Sequence, residues 1–421
     1  MLPGGWHYFS GKRVLLLQGP VGPFFSKLRA ALQEAGASSV DRINLNAGDW
    51  LFASGSSINY RGRQRDWSAF LDSVLTELGT EVVMLFGDCR PYHVVACEVA
   101  RARGVAVWVF EEGYVRPDFV TLERDGTNGH SLLPRDPLFY RSLPERAARA
   151  ARQTGRTFRY LVLWGALYGV ASTAGRVMFP HYRHHRSLDL SEAYCWLRAA
   201  WRKLMYRVKE RGMLNYLTRQ RSKHYFLVSL QTAIDSQIRV HSRFPSMTAF
   251  IEEVICSFAQ SENTDYQLVF KHHPLDRGHS DYTKAISRLA CRYGVQGRVL
   301  YLHDQHLPTL LEHAIGLVVV NSTVGLSGIH HALPVKALGK AIYDMEGLTF
   351  QGPLDDFWGS AQRSAPDMKL YERYRAFVVE QTQLNGSFYT GQMFDVTRWS
   401  DAIGGEGSET PGARAEEAAH L

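Results

Sequence analysis

Apolar residues in this chain come in short runs, each followed by an amphipathic stretch, and the pattern appears in two separate series. The first series opens with RVLLLQG at residues 13–19 and a helix-like FFSKLRAALQEAG at 24–36, which together predict a βα unit. EVVMLFG (81–87) and VAVWVFEEG (105–113) are further strand candidates, separated by a helix-like HVVACEVARARG. That order predicts a parallel sheet covered by helices on both faces. Over residues 148–222 the pattern changes to long helical periodicity rich in Arg, Trp and Tyr, including LVLWGALYGVASTAGRVMF and YCWLRAAWRKLMYRVKERGMLNYLTRQR, and predicts an all-helical insert. A second series starts with HYFLVSLQ (224–231) and runs through DYQLVFKHHP (265–274), RVLYLH (298–303) and GLVVVNSTVG (316–325) to PVKALG near Pro334. The simplest arrangement is α/β: two doubly wound Rossmann-like domains facing a central cleft. The predicted segments are an N-terminal α/β domain at 1–147, the helical insert at 148–222, a C-terminal α/β domain with closing helices at 223–400, and a tail at 401–421. The tail is small, polar and rich in Gly, Pro and Glu, a composition that predicts disorder.

Composition narrows the classes. A chain of 421 residues exceeds the size one hydrophobic core sustains, so two domains are the default. With 45% hydrophobic and 21% charged residues, extensive disorder is excluded. The net charge of +7 and a pI near 9.1 favour anionic partners: nucleic acid, acidic lipid headgroups or nucleotide-activated substrates. No nucleic-acid reader motif accompanies the charge, so nucleic acid is not an expected partner. Cys89, Cys97, Cys195, Cys256 and Cys291 are scattered without a CxxC pair, which suggests neither a zinc site nor a disulfide framework and fits a reducing cytoplasm. The N-terminus lacks a basic region followed by an apolar stretch and a small-residue cleavage site, so no signal peptide is expected. The longest strongly apolar run, YLVLWGALYGVA at 160–171, falls short of the roughly 20 residues that span a bilayer. It can lie on a membrane but not cross one.

In open α/β sheets ligands bind outside the carboxyl ends of the strands, so the residues that follow each strand are the candidates. Gln18-Gly19-Pro20 with Gly22-Pro23 is a loop of little bulk, either a place where a substrate approaches the backbone or an ordinary tight βα turn. Gly87-Asp88-Cys89-Arg90 follows the second candidate strand, and Glu111-Glu112-Gly113-Tyr114 with Arg116 follows the third. Gln18, Gly19, Asp88, Arg90, Tyr114 and Arg116 are therefore candidates for holding an acceptor. One of two adjacent carboxylates at a central strand end should point inward and, partly desolvated beside a like charge, have a raised pKa. Such a group suits a general base or a carboxylate nucleophile. The other reading is a pair of acids at a helix start, favoured by the macrodipole.

In the second series Lys271-His272-His273-Pro274 and Asn321-Ser322-Thr323 end strands with hydrogen-bond donors. Hydroxyls and free amides at a helix start make an anion pocket, and a nearby imidazole can contact or protonate a leaving phosphate. Asn321-Ser322-Thr323 also matches a glycosylation sequon, which is set aside because nothing indicates secretion. Asp235, Ser236 and Gln237 follow that series' first strand and can bond a base or ribose, or equally cap a helix.

Taken in order, an acidic pair before Gly, an HP dipeptide a domain later and a Ser/Thr pair beyond it resemble motifs shared by bacterial sialyltransferases, polysialyltransferases and Kdo transferases. They are Glu111-Glu112-Gly113, His273-Pro274 and Ser322-Thr323. Within that group EEGYVRPDFVTLE (111–123), NGHSLLPRDP (128–137), LQTAIDSQIRVHS (230–242) and HALPVKALGKAIYD (331–344) are similar to the capsule polysaccharide biosynthesis proteins of the KpsS/LipB type. The resemblance spans residues 13–344. It implies a GT-B fold, CMP-β-Kdo as donor, and transfer of Kdo to a phosphatidylglycerol-type lipid that begins the capsular linker. The alternatives are another CMP-sugar transferase, such as a sialyltransferase or a linker-extending Kdo transferase, and a non-catalytic capsule assembly or export component. It also implies that Glu111 or Glu112 supplies the catalytic carboxylate, with retention of configuration, while His273, Ser322 and Thr323 hold the CMP phosphate. No metal and no cofactor beyond the donor are implied. Several relatives carry Asp in the acidic pair where this chain has two Glu residues. The implied place is cytoplasmic, peripheral on the inner face of the cytoplasmic membrane, with the anionic lipid acceptor and other capsule assembly proteins as partners. WLRAAWRKLMYRVK (196–209) reads in that light as an amphipathic surface resting on anionic lipid, or else as a helix packed on the first domain with a solvated basic face.

Overall fold

Runs of Val, Leu, Ile and Phe become strands because branched and aromatic side chains fit a pleated, buried surface. In the computed structural model, which describes residues 5–155, 157–182, 190–232, 236–262 and 264–390, twelve such strands form: β1 Arg13–Leu16, β2 Ser39–Asn44, β3 Ile58–Asn59, β4 Val82–Phe86, β5 Ala106–Glu112, β6 Phe119–Arg124, β7 Tyr225–Ser229, β8 Gln267–Lys271, β9 Val299–Leu302, β10 Gly316–Val319, β11 Val335–Ala337 and β12 Gln383–Asn385. The described residues divide into two compact units. The first falls within Met1–Leu132, Ala148–Leu190 and Ala376–Glu409, the second within Leu133–Ala147 and Ser191–Arg375.

The first unit holds a seven-stranded sheet in the order β12-β6-β5-β4-β1-β2-β3. From β3 to β5 every pairing is parallel, and the last two, β5 with β6 and β6 with β12, are antiparallel. The expected all-parallel sheet is therefore mixed at one end. Burial on both faces follows the two-residue period of a strand. Val14, Leu16, Val82, Met84, Trp108 and Phe110 pack with Phe24, Phe25 and Phe388 on one side. Leu15, Leu17, Val83, Leu85, Val107 and Val109 pack with Trp67, Leu71 and Tyr92 on the other.

The second unit holds a five-stranded, wholly parallel sheet in the order β11-β10-β7-β8-β9. In both units the first strand is flanked by the second and the fourth. This is the Rossmann order, whose topological switch point lies beside the first strand. Its core gathers Phe226, Val228, Phe250, Phe258, Phe270 and Trp358.

Before β7 the chain forms the helices α1 Phe24–Glu34, α2 Ala47–Leu51, α3 Trp67–Glu77, α4 Pro91–Ala102, α5 Pro137–Ser142, α6 Thr157–Ala174 and α7 Leu190–Lys209, and a single helical turn at Met213–Asn215. The expected insert at 148–222 is helical but is not one body. α6 joins the first unit through Tyr168, whose hydroxyl donates to Asp49 Oδ1 at 2.9 Å. α7 joins the second, where Arg198 Nε donates to the Gly278 carbonyl at 2.6 Å and Arg202 Nη1 to the Arg277 carbonyl at 2.8 Å. Nor do the compact units coincide with the segments 1–147 and 223–400. Residues 133–147 belong with the second unit, and β12 returns to the first. The return is fixed by Gln383, whose Oε1 accepts the Tyr114 N–H at 2.9 Å while its Nε2 donates to Thr121 Oγ1 at 3.0 Å. Phe388 follows, its ring 4.8 Å from that of Phe24 and 5.0 Å from that of Phe86. The tail at 401–421 lies outside the described residues.

Trp358 is wholly buried with its ring 4.8 Å from Phe226 and 5.3 Å from Phe258, and its indole N–H bonds Ser257 Oγ at 2.8 Å. Replacing it with alanine removes the ring and leaves a cavity, which costs about 3–5 kcal/mol. Trp358→Ala should lower the urea midpoint of the second unit's transition, followed by far-ultraviolet circular dichroism, with the first unit's transition unmoved.

Candidate functional site

Parallel pairing lines up the carboxyl ends of β1, β4 and β5 in the first unit, and the polar side chains beyond those ends gather there. Glu111 and Glu112 are the last two residues of β5, so the alternation of the strand sends them to opposite faces. The chain then turns into antiparallel β6. No helix begins at the pair, and the helix-start reading of the two acids is overturned.

Glu111 is partly buried, and its Oε1 accepts the Glu112 N–H at 3.0 Å. Its Oε2 lies over Gly87, 3.6 Å from where a β-carbon would stand. Burial pushes its pKa up to about 7; the Glu112 N–H opposes the rise, the Glu112 charge adds to it and the Arg90 guanidinium opposes it. Glu112 faces elsewhere, its Oε1 accepting the Tyr389 hydroxyl at 3.1 Å. Gly87 has φ +73°, a conformation open to glycine. Its carbonyl accepts a proton from His93 Nδ1 at 2.8 Å. His93 is wholly enclosed, and burial lowers its pKa to about 3, so the ring is a neutral donor.

Arg90 Nη1 donates to Gln18 Oε1 at 3.2 Å, and its guanidinium lies 4.8 Å from the Phe86 ring centroid. Gln18 is itself buried, with Nε2 donating to Asp49 Oδ2 at 3.0 Å and to the Tyr182 hydroxyl at 2.9 Å. Asp49 and Arg42 are a buried pair. Burial raises the carboxyl's pKa and lowers the guanidinium's, and the attraction between them opposes both shifts. Gln18 is thus a strut that orients Arg90, with no atom left toward a ligand. Gly19 and Gly22 are small for an aromatic reason: a β-carbon would stand 2.8 Å from the Phe25 ring at Gly19 and 2.9 Å from Trp164 at Gly22. The open substrate loop expected at Gln18-Gly19 is filled by those rings.

Asp88 is buried, and its Oδ2 accepts His130 Nδ1–H at 2.9 Å and the Thr127 N–H at 3.3 Å. It anchors the loop 127–131 beside the end of β4. Tyr114, expected on the acceptor side, is only 2% exposed. Its hydroxyl donates to the Glu123 carboxylate and accepts the Asn128 N–H at 2.6 Å, so it braces the same loop and offers a ligand nothing. Burial pushes the Glu123 pKa up to about 7 against the hydroxyls of Ser131 and Tyr114. Arg116 is exposed, with Nε donating to the Gly113 carbonyl at 3.1 Å. Of the acceptor-side candidates, Arg90 and Arg116 keep accessible side chains.

The second unit's switch point lies between β7 and β10. Gln231 and Asn321 bridge it, the Gln231 Nε2 donating to Asn321 Oδ1 at 3.0 Å and the Asn321 N–H to Gln231 Oε1 at 3.3 Å. Ser322 and Thr323 follow, both partly exposed, and Ser322 Oγ accepts the Val324 N–H at 3.2 Å. Lys271, the last residue of β8, is buried with Nζ donating to the His303 carbonyl at 3.4 Å, and burial lowers its pKa to about 8. His273 Nδ1 accepts the Leu275 N–H at 3.2 Å as Pro274 begins a short turn, which puts the neutral ring's proton on Nε2. Ser236 and Gln237 open the helix Ser236–His241, and Asp235 lies outside the described residues. Neither unit alone brings three metal-ligating side chains together among the described residues.

Gln231 was missed as a candidate although it sits where the strand-end rule points. So were His303, which directly follows β9 as the same rule requires, and Tyr206 and Glu210, which had no local signal. The Glu210 carboxylate, 93 residues from its partner, accepts the His303 N–H at 3.0 Å and a ring proton from Nδ1 at 2.6 Å. The Tyr206 ring stacks on His303 with centroids 3.5 Å apart. Burial works against the Glu210 carboxylate, and its bonds to His303 and Gln305 overcome it, so its pKa is lowered.

A family model described as capsule polysaccharide biosynthesis protein matches residues 81–389. The capsule polysaccharide export protein KpsS of Escherichia coli is 40% identical over 382 residues, which cover 90% of this chain and 97% of that protein. The capsule polysaccharide modification protein LipB of Neisseria meningitidis serogroup A is 36% identical over 402 residues, 93% of this chain and 95% of that protein. Among solved structures, the beta Kdo 2,7 transferase KpsC of Thermosulfurimonas dismutans aligns over 93% of this chain and 98% of its own, at 12% identity and a TM-score of 0.43.

The raised pKa of Glu111 has a stability consequence with a definite sign. From the ordinary value of 4.5 to the folded value near 7, the unfolded carboxyl ionises while the folded one stays protonated, so stability falls as pH rises through that window. Glu111→Gln should match the parent's melting temperature below pH 4.5, exceed it increasingly up to about pH 7, and keep a constant lead above. A thermal-shift series against pH reads the result.

Proposed function

The chain belongs to the capsule polysaccharide biosynthesis protein family, and from that premise we propose that it is a glycosyltransferase moving the acidic 2-keto sugar Kdo from CMP-Kdo to a phosphatidylglycerol-type lipid, beginning a capsular linker. The observation that carries the reading is Glu111, a carboxylate with a pKa raised to about 7 at a central strand's carboxyl end, over a glycine and near an arginine. Ionised, it attacks the anomeric carbon of Kdo. The bond from that carbon to the CMP phosphate oxygen breaks, and its electron pair leaves with CMP. The lipid hydroxyl then displaces Glu111 from the sugar and loses its proton to water, restoring the carboxylate. Two inversions amount to retention. Glu111 is preferred to Glu112 because Glu112 accepts the Tyr389 hydroxyl on the other face of the strand.

His273, with Ser322 and Thr323, holds the CMP phosphate and meets the charge that grows on it as the bond breaks. Lys271 stands behind them as a buried cation, Pro274 sets the turn, and Asp235, Ser236, Gln237 and Asn321 address the nucleoside. Arg90 and Arg116 meet the phosphate of the acceptor, with Asp88, Gln18, Gly19 and Tyr114 holding the scaffold beneath. The donor is a substrate, and the reading calls for no metal or other cofactor. The protein works at the inner face of the cytoplasmic membrane beside other capsule assembly proteins. No helix among the described residues is long and apolar enough to cross a membrane.

The name of the Escherichia coli relative, an export protein, favours a second reading as a non-catalytic component that binds the glycolipid. Release of CMP decides between them. Chelator-treated protein given CMP-Kdo and short-chain phosphatidylglycerol should release CMP and yield a lipid heavier by one Kdo in mass spectrometry. Glu111→Gln and His273→Ala should each slow release by at least about 100-fold, the scale of a lost acid–base or electrostatic group, and the parent rate should rise with pH through about 7. Release from CMP-sialic acid alone would reassign the donor, and no release from either would leave the binding role.

A further inference from the structure

Helix α7 is amphipathic with its faces reversed. The side that meets the second unit is held mainly by polar groups: Arg198 bonds the Gly278 and His279 carbonyls, Arg202 bonds those of Arg277 and Ser280, and Glu210 just beyond the helix holds His303, with the Tyr206 ring stacked on that imidazole. The side that meets solvent is apolar. Leu197, Trp201, Leu204 and Val208 are 73%, 67%, 61% and 76% exposed, and Tyr194 continues their line at the same three-and-four spacing. At 1.5 Å per residue the stripe is about 21 Å long.

Alongside it runs a second row, Lys203, Arg207 and Arg211, spaced four apart and exposed. This row lines a recess of about 510 Å³ that also presents Asn215 and Thr218. The recess contains two carboxylates, Glu210 and Asp304, already engaged by His303 and Arg277. Between Tyr194 and Lys209 the sequence carries Arg198, Arg202, Lys203, Arg207 and Lys209 and no acid.

We propose that the outward face of α7 seats this protein on an anionic bilayer, the Tyr194–Val208 stripe entering the acyl boundary and the Lys203, Arg207 and Arg211 row taking lipid phosphates. Charge selects this occupant over a second copy of the chain, since a self-paired α7 would bring two wholly basic rows together. Aromatic residues along the stripe suit the headgroup boundary, where one part of the ring is dry and another wet. α6 also exposes apolar residues, among them Phe158 and Val170, but Arg159 is its single charged residue, so selection for anionic lipid rests with α7. The inference deepens the lipid-acceptor reading and rests on it for the identity of the membrane.

The test is co-sedimentation of the full chain with vesicles of phosphatidylcholine alone or mixed with phosphatidylglycerol. The parent should bind the mixed vesicles at low salt and be released by high salt. Lys203→Gln/Arg207→Gln/Arg211→Gln should weaken partitioning roughly 100-fold, near the value for three cations at an anionic surface. Trp201→Ser/Leu204→Ser should also reduce it, with unchanged melting temperatures showing that both variants fold. Equal recovery on neutral vesicles, or unchanged binding by either variant, overturns the proposal. So does a concentration-dependent dimer in sedimentation velocity that Leu204→Glu abolishes. CMP release with a water-soluble acceptor should be untouched in the α7 variants. Binding that survives where the parent releases no CMP would sink the transferase reading and leave the docking face standing.

Discussion

Parallel strands must all be re-entered from the same side, so their carboxyl ends collect along one border of the sheet and the loops that leave them crowd together. A polar side chain placed there is close to others and half removed from water, where an unpaired charge costs several kcal/mol. The first unit shows how that cost is met. Gln18 links Arg90 to Asp49, and Asp49 faces Arg42. Asp88 and Glu123 each hold the loop that follows β6. Burial raises the proton affinity of Asp49, Glu123 and Glu111 alike. Glu111 differs in its partner, the N–H of the next residue, whereas Asp49 and Glu123 hold side chains of other segments. The border therefore separates carboxyls that brace the scaffold from one that is bonded to its own neighbour.

The same border explains what could be read from the sequence. Strand runs such as VVMLF and YFLVS are apolar on both faces and bounded by punctuation, so eight of the strands, β1, β4, β5 and β7 to β11, lie within legible apolar runs. The acids at 111 and 112 were legible as strand-end residues. Which structure followed them was not, because a loop into antiparallel β6 and a helix start both tolerate Gly and Tyr after an acidic pair. Gln18, Gly19 and Tyr114 looked like ligand contacts for the reason that they are polar or small beside a strand end. Their partners, Asp49, Phe25 and Glu123, are set by packing across the chain, which a linear pattern does not encode. β12 was illegible for its length: Gln383–Asn385 is too short to show a period, and its role depends on one glutamine amide.

Helical periodicity in 148–222 gave the helices but not their allegiance. A period fixes which residues share a face and leaves open which face is inward. For α7 the usual assumption fails, because its arginines reach backbone carbonyls at 277–280 and so supply the inward contacts that leucines would ordinarily make. For α6 there is little periodic contrast to read, and a few single contacts decide where it attaches: Tyr168 on Asp49, and Trp164 against Gly22 and on the Tyr389 carbonyl.

The pairing of β12 with β6 carries a temporal implication. Translation delivers β6 long before Gln383, so the first unit waits through the whole of the second with its sheet border bare and the Phe24 and Phe86 rings lacking Phe388. An exposed strand border is a template for wrong partners. Losing the segment 383–388 would therefore leave β6 as the border and take an aromatic partner from Phe24 and Phe86, a defect of the first unit caused by a change that lies after the second.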